Sequence, residues 1–109
     1  MDYYYQKDIP PKKPKKKRIA LLGDSLTTCL KGAFDLTCWP KQLYNIIDDK
    51  EDVEVVAYYY SATTVSHGST TPYMENPVYK AALAGEPDVV VILLGMNDSK
   101  KGNWDANLF

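Results

Sequence analysis

One histidine and two cysteines are all that this 109-residue chain offers of the strongly metal- and redox-active side chains. Cys29 and Cys38 have no metal-like spacing, and no His/Cys/carboxylate cluster accompanies them, so the sequence implies neither a metal site nor a cofactor. Nothing points to an oxidising compartment, and the two cysteines read as reduced thiols. No stretch approaches the roughly 18 apolar residues of a transmembrane helix. The N-terminus also lacks the apolar core of a secretory signal. These absences set the expectation of a soluble, cytoplasmic protein without a membrane partner. A Walker A loop and a G-x-G-x-x-G run are both missing, which removes motif support for nucleotide binding. There is no G-x-S-x-G elbow, which removes the ordinary α/β-hydrolase reading. The net charge is only -1, and six of the nine tyrosines gather at 3–5 and 58–60 instead of interleaving with basic residues. Both facts argue against nucleic acid as a partner.

What the chain does have is an ordinary globular composition, 45% hydrophobic and 25% charged, enough for one small domain. Its charge is unevenly placed. Seven basic residues against Asp2 and Asp8 make the segment through Arg18 +5, leaving -6 for the remainder. Residues 1–17 combine Tyr3, Tyr4 and Tyr5 with Pro10, Pro11, Pro14 and a lysine run, which predicts an extended or disordered leader. The run from Lys12 to Arg18 also fits a nuclear-import or polyanion-binding patch, beside the simpler reading of a solvated tail.

From residue 18 to 109 the pattern is that of a domain. Ile19 to Leu22, stopped by Gly23, suits a buried parallel strand. Residues 40–49 place Leu43, Ile46 and Ile47 on one helical face, with Pro40 at the first position. Val53, Val55, Val56 and Ala57 begin a second strand, and a Ser/Thr-rich loop follows from Ser61 to Asn76. Pro77 opens a second helix with Tyr79, Ala82 and Leu83 inward, ending near Gly85. Val89 to Leu94 is a third strand closed by Gly95, and Asn103 stands as a cap for a third helix over WDANLF. Alternating strands and helices predict parallel crossovers in a layered α/β domain.

In a flavodoxin-like order 2-1-3 the third strand is an open edge. Its six apolar residues do not alternate, so they call for cover on both faces and a neighbour on each side. Natural proteins avoid a bare apolar edge. The sequence therefore reads as cut, or as a chain whose Val89–Leu94 strand is paired by a protein partner.

Ligands of parallel α/β sheets bind beyond the carboxyl ends of the strands. Three turns leave those ends here, through Gly23-Asp24-Ser25-Leu26, Ser61-Ala62-Thr63-Thr64 and Gly95-Met96-Asn97-Asp98. They bring a serine hydroxyl, a run of N–H groups and a carboxamide to one rim, the parts that acyl transfer needs.

Gly23-Asp24-Ser25-Leu26 resembles the first signature block of the SGNH (GDSL) hydrolase family, and Gly95-Met96-Asn97-Asp98 resembles its Gly-x-Asn-Asp block. The resemblance spans residues 18–109, and residues 72–104 are most similar to esterases of the carbohydrate O-acetylesterase type. It implies a three-layer flavodoxin-like fold, truncated to about three strands and two to three helices. It further implies Ser25 as nucleophile and the Ser25 N–H, the Ala62 N–H and the Asn97 carboxamide as oxyanion donors. Gly23, Asp24, Gly95 and Asp98 would organise the turns.

Two departures stand out. Ala62 occupies the position of a family glycine; a negative φ there would suit alanine, a positive φ would cost it. The family's C-terminal Asp-x-x-His block has no counterpart among these residues, and the one imidazole is His67, in the loop after the second strand. The implied activity is serine-dependent hydrolysis of a small ester or an acetylated carbohydrate, represented by its N-terminal half. The alternative is a catalytically inactive SGNH-like subunit whose edge strand a partner chain covers.

Overall fold

The structure is a computed structural model that describes residues 3–5, 11, 16–24, 27, 39–47, 52–66 and 71–109. Its elements in chain order are β1 (Tyr3–Tyr5), β2 (Lys17–Gly23), α1 (Trp39–Ile46), β3 (Val53–Tyr59), a 3-10 turn (Tyr73–Glu75), α2 (Pro77–Ala84) and β4 (Val89–Leu93). The sheet is parallel throughout, in the order β1-β3-β2-β4. The three main strands thus take the expected 2-1-3 arrangement. Tyr3–Tyr5 adds a short fourth strand beside β3, in register with Val55 to Ala57.

Period-two alternation along β2 and β3 divides the core into two layers. Ala20, Leu22, Val56 and Tyr58 pack with Tyr73, Val78 and Ala82 on the α2 side. Leu21, Val55 and Ala57 pack with Tyr44, Trp39 and Leu43 on the α1 side. Central parallel strands buried on both faces need apolar residues at consecutive positions, which is why neither reads as alternating.

The helices differ from the sequence expectation in which residues face inward. On α1, Ile46 is 73% exposed while Tyr44 is buried, because the helix rotates its aromatic ring onto the sheet and leaves Ile46 to solvent. On α2, Leu83 is exposed and Val78 is buried beside Ala82. The buried stripe therefore runs through positions 78 and 82, one turn apart, with Tyr79 half-buried against the same cluster as expected and Leu83 left outside it. Asn76 caps α2, accepting the Val78 N–H at 3.0 Å, with Pro77 at the first position. The expected third helix does not form: residues 104–109 make turns, and Asn103 uses its side chain elsewhere.

A buried polar rivet closes the opposite end of the sheet from the strand carboxyl ends. Arg18 Nε donates to Glu54 Oε1 at 2.7 Å, and the guanidinium also donates to Gly85 O at the end of α2 at 3.1 Å. The Arg18 N–H donates to the Asp88 carboxylate at Oδ2 and the Asp88 N–H to Arg18 O, each at 2.8 Å, and the pair locks the start of β4. Among the described residues, no helix is long and apolar enough to cross a membrane.

Candidate functional site

The carboxyl ends of β2, β3 and β4 converge on one rim, and the chain leaves each end through a turn fixed by close contacts. β2 ends at Gly23, where a Cβ would overlap the Thr27 hydroxyl and sit 3.1 Å from Leu93 O. No side chain fits between β2, β4 and the returning turn, so glycine is required by proximity. The Thr27 N–H bonds back to Asp24 O at 3.0 Å, and Trp39 Nε1 donates to Thr27 Oγ1 at 3.2 Å. Ser25 and His67 lie outside the described residues.

The second turn is strapped down along its length. Thr63 Oγ1 donates to Tyr60 O and Thr71 Oγ1 to Ala62 O, each at 2.8 Å. Thr64 bridges to residues 71–73 through its N–H (3.0 Å to Thr71 O) and its carbonyl (2.8 Å from Tyr73 N). Ala62 itself has φ +64°. Of the two conformations open to this position, the turn takes the left-handed one, and alanine bears a cost that glycine avoids.

The third turn leaves β4 through Gly95, whose φ of +117° lies where only glycine is comfortable. It delivers Asn97 and Asp98, both buried, into the centre of the rim. Asn97 Nδ2 donates to Thr63 O at 3.0 Å and to Asp24 Oδ2 at 3.3 Å. Asp98 accepts the Val65 N–H on one oxygen and the Ser66 N–H on the other, both at 2.9 Å. One carboxylate thereby fixes the second turn from the third. Asn103 Nδ2 donates to Asn97 O at 2.9 Å, which ties the following segment to the same point.

The structure thus brings Asp24, Asn97 and Asp98 together with Thr63, Val65 and Ser66. The parts played by the Thr63 carbonyl and the Val65 and Ser66 N–H groups are not legible in the sequence, since backbone groups carry no residue signature. Asn103 was legible only as a helix cap. A cavity of about 190 Å³ opens beside Asp24, walled by Leu93, Leu94 and Met96. A second, of about 230 Å³, lies across the β3 turn between Tyr60, Thr63, Thr71 and the Pro72–Pro77 segment. Among the described residues, no three His, Cys, Asp or Glu side chains gather as a metal site would need.

Tyr73 supports the floor of the second turn, its hydroxyl donating to Tyr58 O at 2.9 Å. Burial pushes the Tyr73 phenol far above its ordinary pKa, with the neighbouring Tyr58 adding to the rise. Burial also raises Tyr58, against the opposing pull of the Arg18 charge.

Fold and site together define a parallel α/β protein with a polar constellation at its strand carboxyl ends. An acetylxylan esterase of Xylanibacter ruminicola is 40% identical to this chain over 101 residues, which is 90% of the chain and 20% of that protein. The chain therefore spans about a fifth of the length of the curated relative it matches. No family model and no solved structure matches it.

Proposed function

We propose that this chain carries the nucleophile-bearing portion of an SGNH (GDSL)-type serine esterase that removes an acetyl group from a carbohydrate-like ester. Ser25 supplies the attacking oxygen. The N–H groups of Ser25 and Ala62 and the Asn97 carboxamide receive the negative charge that develops on the carbonyl oxygen. Asn97 has two side-chain N–H donors, so to serve an oxyanion it releases the longer of its two bonds, the one to Asp24. Asp98 holds the Ala62 turn in place through the Val65 and Ser66 N–H groups further along it. Gly23 allows β2, β4 and the returning turn to approach, and Gly95 supplies the positive φ of the third turn.

The observation that carries this reading is the meeting of Asp24 and Asn97 at the ends of β2 and β4, beside a cavity large enough for a small acyl group. The likeness to an acetylxylan esterase supports the acetyl and carbohydrate parts of it. The general base of the resemblance, an Asp-x-x-His pair, has no counterpart in these 109 residues, and the imidazole the chain itself offers is His67. The test is acetyl release from acetylated xylan by the protein purified from its source. Ser25→Ala is expected to lower turnover by roughly 10⁶, and Asn97→Ala by roughly 10²–10³. Hydrolysis at the unaltered rate by Ser25→Ala would overturn the proposal.

A second reading, a non-catalytic subunit paired along its edge, is favoured by β4. All five of its residues are exposed, up to 61% at Ile92, and among the described residues β2 is its one neighbour in the sheet. A partner strand would complete the ladder by β-addition. Hydrogen exchange in the protein from its source decides it: protected Val89–Leu93 amides on the side away from β2 are expected, and fast exchange there excludes the pairing.

A further inference from the structure

Two exposed aromatic rings stand on the rim of the strand-end site. Trp104 and Phe109 are each 57% exposed, and their ring centroids lie 5.4 Å apart with planes inclined at 43°. The segment that carries them is fixed from the site outward. Asn103, the residue before Trp104, donates to Asn97 O at 2.9 Å. A Cβ at Gly95 would lie 3.9 Å from the edge of the Phe109 ring. Between them, the N–H groups of Leu108 and Phe109 return to Asp105 O at 3.1 and 3.0 Å, and Asn107 N bonds to Asp105 Oδ1 at 2.9 Å. Residues 103–109 are therefore a series of self-bonded turns that bring an aromatic pair back against the carboxyl end of β4.

An aromatic pair fixed beside a strand-end site offers a ring face on which a ligand can stack. Here the apolar residues alternate along the chain with the polar Asn103, Asp105 and Asn107. That mixture suits a ligand with apolar faces and a polar edge. A pyranose is such a ligand. Its C–H faces are apolar and slightly positive, the face of an indole is negative, and its hydroxyls project around the rim.

We propose that Trp104, backed by Phe109, is the platform on which a pyranose ring of the ester-bearing carbohydrate stacks, next to the acyl site at Asp24 and Asn97. This inference rests on the esterase reading above for its substrate class, but it concerns sugar binding and needs no turnover. The platform contributes affinity and orients the glycan so that its ester reaches the strand ends.

The test is a titration of the full chain with xylotetraose, an unacetylated probe that no esterase step can consume. The indole N–H signals of Trp39 and Trp104 are followed by NMR and assigned through Trp104→Phe. The Trp104 signal is expected to shift saturably while that of Trp39 stays. Trp104→Ala is expected to weaken binding roughly tenfold, and Trp104→Phe to retain most of it. An unmoved Trp104 signal, or equal affinity in Trp104→Ala, overturns the platform. A signal that moves with protein concentration and ignores the sugar overturns it in favour of self-association. Measuring acetyl release alongside separates the two proposals. Sugar binding lost with Trp104→Ala but no Ser25-dependent hydrolysis leaves the platform standing without the esterase, and the converse result does the reverse.

Discussion

Asn97 reaches across 73 residues of chain to give one of its side-chain N–H groups to Asp24, at 3.3 Å. Its other N–H goes to Thr63 O at 3.0 Å, so the two donors of the carboxamide join all three strand ends at one buried point. Removing the acceptor exposes how much the junction contributes. Asp24→Ala leaves a buried amide hydrogen without a partner and is expected to lower stability by about 1–3 kcal/mol. A shift in the denaturant midpoint at constant m-value measures this. An unchanged midpoint would mean that the junction is not what holds the turns together.

Asp98 is the more demanding position, because both of its oxygens are taken by backbone N–H groups. Asp98→Ala is expected to cost about 3 kcal/mol, the range of two charge-assisted bonds lost together. Hydrogen exchange would localise the effect: the Val65 and Ser66 amides should lose protection first, before those of β2 and β3.

Ala62 sits at φ +64°, so glycine should be the better residue there. Ala62→Gly is expected to stabilise the protein by about 0.5–1 kcal/mol, the left-handed penalty less the extra entropy that glycine loses on folding. Ala62→Val should do the opposite. Thermal denaturation of the pair gives the sign, and a destabilised glycine variant would contradict the left-handed turn.

Alkaline pH should unfold the chain through its buried tyrosines. Tyr73 and Tyr58 have folded-state pKa values raised above the ordinary tyrosine value of 10.0. Above that value the unfolded chain releases protons that the folded chain retains. The stability is therefore complete below about pH 10 and falls as pH rises beyond it. Tyr73→Phe removes the larger contributor and should flatten the loss between about pH 10 and 12, at the cost of its bond to Tyr58 O. Denaturant midpoints over that window compare the two slopes.

The edge strand supplies the fifth test. Ile92 is the most exposed residue of β4, so Ile92→Lys should change folding stability by no more than about 0.5 kcal/mol. It should also raise solubility by blocking edge-to-edge association. Sedimentation across a concentration series checks the solubility, and a large loss of stability would show that the face is covered.

Much of this architecture was readable beforehand because it rests on consecutive apolar residues. Ile19–Leu22 and Val53–Ala57 had to be buried on both faces, and the helices between them enforced parallel pairing in the order found. Pro77 and Asn76 marked the start of α2 through local geometry alone. The inward faces of the helices were less legible. Ile46 and Leu83 fit an apolar stripe as well as Tyr44 and Val78 do, and only packing against the sheet chooses between them. Tyr3–Tyr5 gave no strand signal of its own, since three residues acquire strand character only by pairing with β3. At the rim, Asp24, Asn97 and Asp98 were visible as side chains, whereas the φ of Ala62 is set by the Thr71 and Thr63 straps around it.

The rivet at Arg18 also sets a timetable for synthesis. Its partners at Glu54, Gly85 and Asp88 lie 36, 67 and 70 residues further along. The central strand β2 thus emerges before either of its neighbours, and β1 emerges before the β3 strand it will join. Every strand pairing here closes a long loop, which makes such topologies slow to assemble. A nascent chain of this kind cannot bank its structure piece by piece from the N-terminus. Arg18 and the apolar run behind it wait unpaired until β3 and then β4 arrive, and residues made some 70 positions later complete the pairing of the central strand.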